Sequence, residues 1–414
     1  MRARTGVLAV AAVSAAACAP AAAAQPVGTC LDCSPSSRTV DGGRTPGWHE
    51  MYGVAAITPD DALSVGTGGD DLSVRSRHWD GHKWHSVHPP GGKLTEMWSV
   101  AAISATDVWG VGAQYNRSFA EHWDGTAWTH VATPPVDPDT EGDYLKSVNG
   151  ASTDDVWAVG YTELPCCTTF QPLIEHWDGR SWAKVAYELP YGNTQGNLFG
   201  VTVVSPTDAW ATGLTQDPVS APLLLHWNGK TWKPVTDIVG VPPSVVWEVD
   251  AIAADDVWAV GAGGSAPGPT LLHWDGKVWT RFPAHTGNRE WLIDGLWGVD
   301  AVAADDVWAV GAYGEQANPR HLRIVHWDGK RWKKIPAPHP GRVANRLWAV
   351  SGTRSDDAWA VGSFADNDDD MHSLYLHWNG RSWSRVRPQA GSPGPPASSE
   401  GVRRAPGTWS LQHP

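Results

Sequence analysis

The chain has 414 residues, enough for two or three average domains or for one large all-β domain. Its formal net charge of −13, from 44 acidic and 31 basic side chains with no outstanding Lys/Arg cluster in its repeats, argues against a nucleic-acid partner. The 27 Trp, 44 Gly and 32 Pro against 4 Met and 5 Phe depart so far from average usage that a repeated motif is expected.

Residues 1–24 read as a secretory signal: Arg2 and Arg4 precede a short apolar run, and Ala22-Ala23-Ala24 precede Gln25. The run is too short for a permanent anchor, and no later segment approaches the roughly 18 uninterrupted apolar residues of a transmembrane helix. The expectation is a secreted or cell-surface protein. Lipid attachment through Cys18 is the lesser alternative, because Ala15 stands where a lipobox usually carries Leu. Residues 25–47 form a segment containing Cys30 and Cys33. With Cys166 and Cys167 they make four cysteines in an oxidising compartment, so two disulfides are expected, in any of three connectivities. Adjacent Cys166 and Cys167 argue against a zinc site, which prefers spaced pairs.

Residues 48–388 are organised by a repeat. His-Trp-Asp/Asn-Gly occurs seven times, at His78, His122, His176, His226, His273, His326 and His377, each copy followed three residues after its Gly by a second Trp. Successive copies lie 44, 54, 50, 47, 53 and 51 residues apart, the size of one propeller blade. Upstream of each copy lie two further elements. One is an aromatic-x-Val segment such as Trp98 to Val100, with Lys146 in the aromatic's place in the third copy. The other is Asp-Val/Ala-Trp-Ala/Gly-Val/Thr-Gly, degenerate in the first copy at Asp61-Ala62-Leu63. The spacing predicts four short strands per unit: A (aromatic-x-Val), B (DVWAVG), C (the apolar run ending in His-Trp) and D (from the second Trp). Asp-Gly or Asn-Gly between C and D predicts a type I′ hairpin, whose two central residues take positive φ. One unit exposes two apolar faces that only neighbouring units can bury. The fold class expected is therefore all-β, a seven-bladed β-propeller of four-stranded antiparallel blades. Residues 389–414 have the composition of a disordered Pro/Gly/Ser-rich tail.

The HWDGxxW and DVWAVG repeats resemble those of secreted bacterial β-propeller proteins, and distantly those of Asp-box and kelch-type propellers. The resemblance implies the fold. It implies no activity, since such propellers serve binding proteins and enzymes alike.

Alternating strand direction places the near-identical A–B and C–D turns on one face and the unlike B–C and D–A connections on the other. Irregular connections on a rigid scaffold are where binding resides. The expected binding residues are accordingly Tyr115, Arg117, Tyr161, Tyr187, Tyr191, Arg289, Trp291, Tyr313 and Arg320, aromatics and arginines of those connections. The repeated motif histidines and aspartates read as structural hydrogen-bond partners. His82, His85 and His88 do not fall on one face of a strand, against a zinc site. Asp366, Asp368 and Asp370 alternate as a calcium loop begins, but Met371 stands where such a loop needs Gly; a solvated acidic loop is the expectation and calcium the alternative. No cofactor and no catalytic residue is expected. The partner is a protein, peptide or glycan bound to a monomer. The alternative is a carbohydrate-active hydrolase or lyase with its site at the mouth of the central channel on the same face, for which Glu163, Glu188, Glu290, Glu315 and Asp294 are candidates by location alone.

Overall fold

A computed structural model describes residues 49–388, apart from 70–71, 90, 166–168, 218–220, 240, 242–243, 264–268, 283–292, 315–320 and 367–370. The described residues hold strands, one 3₁₀ turn at Pro190–Gly192, and no α-helix. In the first unit His49–Thr58, Asp61–Gly68, Ser73–Trp79 and Trp84–Val87 pair antiparallel in chain order as A, B, C and D. Five sheets are such four-stranded meanders. The sixth, nine-stranded sheet contains two more, Ser244–Ala253 through Trp279–Arg281 and Ile293–Ala303 through Trp332–Lys334, linked by the Ala262–Gly295 bridge. Its ninth strand, Ile238–Val239, leads from one unit to the next and pairs in parallel with Trp279 and Thr280 of that next unit. Tyr187 makes the same kind of bridge to Trp232. The expected all-β architecture of four-stranded antiparallel units is what the chain forms.

Neighbouring units are held together by tryptophan. The strand-B indole of one unit meets the second Trp of the next edge to face: Trp109 on Trp182, Trp157 on Trp232, Trp210 on Trp279, Trp258 on Trp332, Trp308 on Trp383 and Trp359 on Trp84. Centroids lie 4.9–5.3 Å apart with planes at 80–90°. The same six indoles lie 4.8–5.2 Å from the next unit's His-Trp indole. All six are at most 2 % exposed. Each buries about 150–250 Å², roughly 4–6 kcal/mol gross at about 25 cal/mol per Å². In the degenerate first copy Leu63 takes the place of the indole and packs with Trp123 and Trp128. The last of these contacts runs from Trp359 back to Trp79 and Trp84, so the final unit packs on the first. Ser64 Oγ and Tyr375 Oη, 3.1 Å apart, join the same two units.

One face repeats itself in detail. The motif histidine Nε2 bonds to the strand-B aspartate in every copy, from His78–Asp61 to His377–Asp357, at 2.7–2.8 Å. A carboxylate can only accept, so Nε2 carries the proton. The His-Trp indole donates to a carbonyl of the A–B turn, as Trp79 to Pro59 (3.2 Å) and Trp378 to Ser355 (3.1 Å). The C–D hairpin differs from the type I′ turn expected. Only its Gly adopts positive φ, from 79° to 93°. The Asp or Asn keeps ordinary backbone and its Oδ1 accepts from the amides two and three residues on, as Asp80 does from His82 (3.0 Å) and Lys83 (2.8 Å). Four residues, 80–83, thus separate the paired Trp79 and Trp84. The side-chain acceptor replaces the second left-handed residue that a two-residue turn would need.

Two outcomes follow from this packing. Trp359→Ala opens a cavity at the junction of last and first units and lowers the unfolding free energy by about 3–5 kcal/mol, read by urea titration. A double-mutant cycle of Asp306→Asn and His326→Gln returns a coupling of about 1 kcal/mol; zero coupling would make the pair incidental.

Candidate functional site

On the opposite face the backbone itself is unusual. Among the described residues the exposed large hydrophobic side chains are Leu94 (41 %), Tyr115 (61 %) and Tyr191 (59 %). All three have left-handed backbone, with φ of 53°, 50° and 59°. That conformation costs an L-residue about 1–2 kcal/mol. Tyr115 and Asn116 (φ 61°) form a two-residue turn between paired Gln114 and Arg117. The Tyr115 amide donates to the Leu94 carbonyl at 3.4 Å, so these two residues are neighbours along the backbone.

The other nominated residues divide. Arg117 is exposed at the start of its strand. Tyr161 is only 9 % exposed, between Tyr144 and Phe170 with both ring centroids at 5.0 Å. Tyr187 is half-buried against the core cluster that holds Trp157 and Trp232, and burial pushes its hydroxyl up to about 12. Tyr313 stacks on His321 (4.9 Å), lies beneath Arg323 and Lys334, and accepts from Lys334 Nζ at 3.0 Å. Tyr115 and Tyr313 belong to units whose inner strands do not pack on each other. Arg289, Trp291, Arg320, the four cysteines, Asp368 and Asp370 lie outside the described residues. Asp366 accepts from the Arg342 amide at 3.3 Å, and His85 is bonded to Asp80. Among the hydrolase candidates, Glu163 accepts from the Tyr144 hydroxyl at 3.2 Å.

Sequence reasoning expected a central channel but missed the residues that line it. Strand A of every unit lines a cavity of about 220 Å³. In each unit strand A is bulged at the aromatic position, leaving Tyr52, Trp98, Lys146, Phe199, Trp247, Trp297 or Trp348 as the extra residue in the A–B ladder. A bulge re-aims its side chain. The half-buried aromatics form a collar in which Phe199–Trp247, Trp297–Trp348 and Tyr52–Trp348 lie 4.5, 4.7 and 6.0 Å apart, while Lys146 Nζ sits 3.4 Å from the Trp98 ring centroid. The closing Gly of DVWAVG makes room for the bulge: a Cβ on Gly112 or Gly311 would lie 1.8 or 2.1 Å from the facing strand-A carbonyl.

Strand A is also the edge of its sheet, with backbone amides turned toward the next unit. Side chains three positions after the bulged residue partner them: Ser351 accepts from the Ala56 amide (3.1 Å), Asn149 from Val203 (3.3 Å), Asp250 from Ala301 (2.7 Å) and Asp300 from Gly352 (3.0 Å). Sparse polar residues at one fixed position of an otherwise apolar repeat were the signal available for them. With Glu248 they place three carboxylates on two adjacent inner strands. Enclosure by the ring raises all three carboxyls, Asp250 to about 6, and Asp250 further raises Glu248 and Asp300. Asp250 is therefore neutral in the fold at a pH where it is ionised in the unfolded chain, and its contribution to stability, full below about pH 4, disappears as pH rises through about 6. Unfolding free energy measured across that window falls less steeply for Asp250→Asn, which keeps the acceptor for Ala301.

No protein-family model and no curated protein matches the sequence. Solved structures match in fold: U3-55K, 12 % identical over 81 % of this chain and 97 % of that one (TM-score 0.53); YCF48 bound to D1 peptide, 13 % identical over 81 % and 93 % (0.50); and the β-propeller domain of the Trilobed protease from Pyrococcus furiosus, described as having an open velcro topology, 9 % identical over 82 % and 97 % (0.50). At such identities the likeness concerns architecture alone, and the architecture is that of a β-propeller.

Proposed function

We propose that this chain is a secreted, seven-bladed β-propeller that binds a protein, peptide or glycan through the connections of its variable face. Seven HWDGxxW copies, each at a C–D hairpin, and seven A strands in contact around one channel support the blade count. The leader-like residues 1–24 support export, in which case Cys30, Cys33, Cys166 and Cys167 form two disulfides. The observation that carries the binding reading is the pair Tyr115 and Tyr191: aromatic, exposed, and held in costly backbone on irregular connections while the opposite face is hydrogen-bonded and uniform. Unfavourable backbone retained at exposed side chains is a reason to infer function.

Hydrolysis has weaker support. The carboxylates that converge are those of the channel, where Asp250 and Asp300 accept from backbone amides of the next unit. The channel volume of about 220 Å³ lies below the roughly 300–1,000 Å³ of small-molecule sites.

Peptide and glycan arrays probed with the mature protein are expected to give a ligand whose binding falls about tenfold or more in Tyr115→Ala or Tyr191→Ala, with unchanged thermal unfolding. Turnover of the bound ligand, abolished by Asp300→Asn, would replace this reading with the enzymatic one.

A further inference from the structure

A second feature lies at the junction of the last and first units, where the variable-face ends of several strands meet. Two adjoining cavities of about 470 and 550 Å³ share His49, Arg77 and Ser373 as lining residues. Arg75 and His88 line one, and Arg385, Arg387 and His372 the other. The groove thus collects four arginines and three histidines on a chain whose formal net charge is −13. Asp366 is the carboxylate among its described lining residues.

We propose that this groove binds an oxyanion, the carboxylate, sulfate or phosphate ester of a ligand about the size of a monosaccharide or dipeptide. The cavities fall within the usual range for such ligands. Guanidinium groups present planar forks that match these anions, and one is already fixed: the Arg385 guanidinium carbon lies 4.2 Å from the Phe364 ring centroid, held as a platform. Burial first, then the neighbouring charges of Arg75, Arg77 and His372, lowers His49; burial and Arg387 lower Arg385, with Asp366 opposing. Crowded cations of this kind are relieved by a bound anion, whose arrival favours protonation of His49. The groups facing the bound anion are then Arg75, Arg77, Arg385, Arg387, His49, His88, His372 and Asp366. Protonation of His49 adds a positive charge to the groove, so affinity rises as pH falls through the histidine range.

The test is calorimetric titration of the whole mature chain, at low ionic strength, with sulfate, phosphate, glucuronate and N-acetylaspartate amide as separate probes. At least one is expected to bind with Kd below about 1 mM, to weaken about tenfold when salt rises from about 20 to about 200 mM, and to tighten from about pH 8 to about 5.5. Arg385→Gln and Arg387→Gln each weaken it about tenfold, while Arg180→Gln, at a hairpin of the uniform face, leaves it unchanged. Because Arg385 also packs on Phe364, the exposed Arg387 carries the decision. Glucuronate alone, or N-acetylaspartate amide alone, identifies a sugar-borne or peptide-borne carboxylate. Absence of heat with all four probes, or an unchanged Kd in Arg387→Gln, overturns the proposal. Neither result touches the binding reading for Tyr115 and Tyr191, which line neither cavity.

Discussion

The contact on which this molecule depends is an indole of one unit set edge to face against an indole of the next. A single four-stranded meander has two apolar faces and cannot shield either. Burying Trp109, Trp157, Trp210, Trp258, Trp308 and Trp359 between units satisfies both faces at once. It also explains why strand B places Val and Trp at adjacent positions instead of alternating with polar residues: both sides of that strand are interior. The Trp359 contact with Trp79 and Trp84 unites the two ends of the repeat array by the same means, and among the described residues no strand is exchanged between the last unit and the first.

The uniform face is the cost of that arrangement made explicit. Every hairpin must leave its Trp in register with the next unit, so each copy repeats the same Asp or Asn acceptor, the same left-handed Gly and the same His–Asp bond. These polar groups are absorbed by the scaffold. The opposite face carries no such requirement, and there the chain varies in length and carries exposed aromatics and, at the end-to-end junction, clustered arginines.

The channel shows a different constraint. Edge strands facing one axis expose backbone amides in a narrow space, and a close-packed apolar lining would leave them unpaired. Side chains such as Ser351, Asn149, Asp250 and Asp300 accept from the neighbouring unit's amides instead. Two of these are carboxylic acids, and their confinement raises them. A bond that ties units together is thereby also a titratable one.

The unit, its four strands, the separation of uniform from variable face, and the structural duty of the motif histidines were all legible in the order of residues. All of these rest on local spacing and hydrogen-bonding chemistry repeated many times. Residue order did not reveal that the aromatic of strand A is a bulged residue of the channel, because a bulge is visible only in the pairing of two strands. Nor did it separate Tyr115 and Tyr191, which stand out in solvent, from Tyr161 and Tyr187, which are packed away. Those four share a residue type, and only the neighbours supplied by the fold, which also places Tyr161 within a paired strand, distinguish them. The junction groove was equally hidden: Arg77 and Arg385 are some three hundred residues apart in sequence, and what makes them one site is the packing of the last unit onto the first.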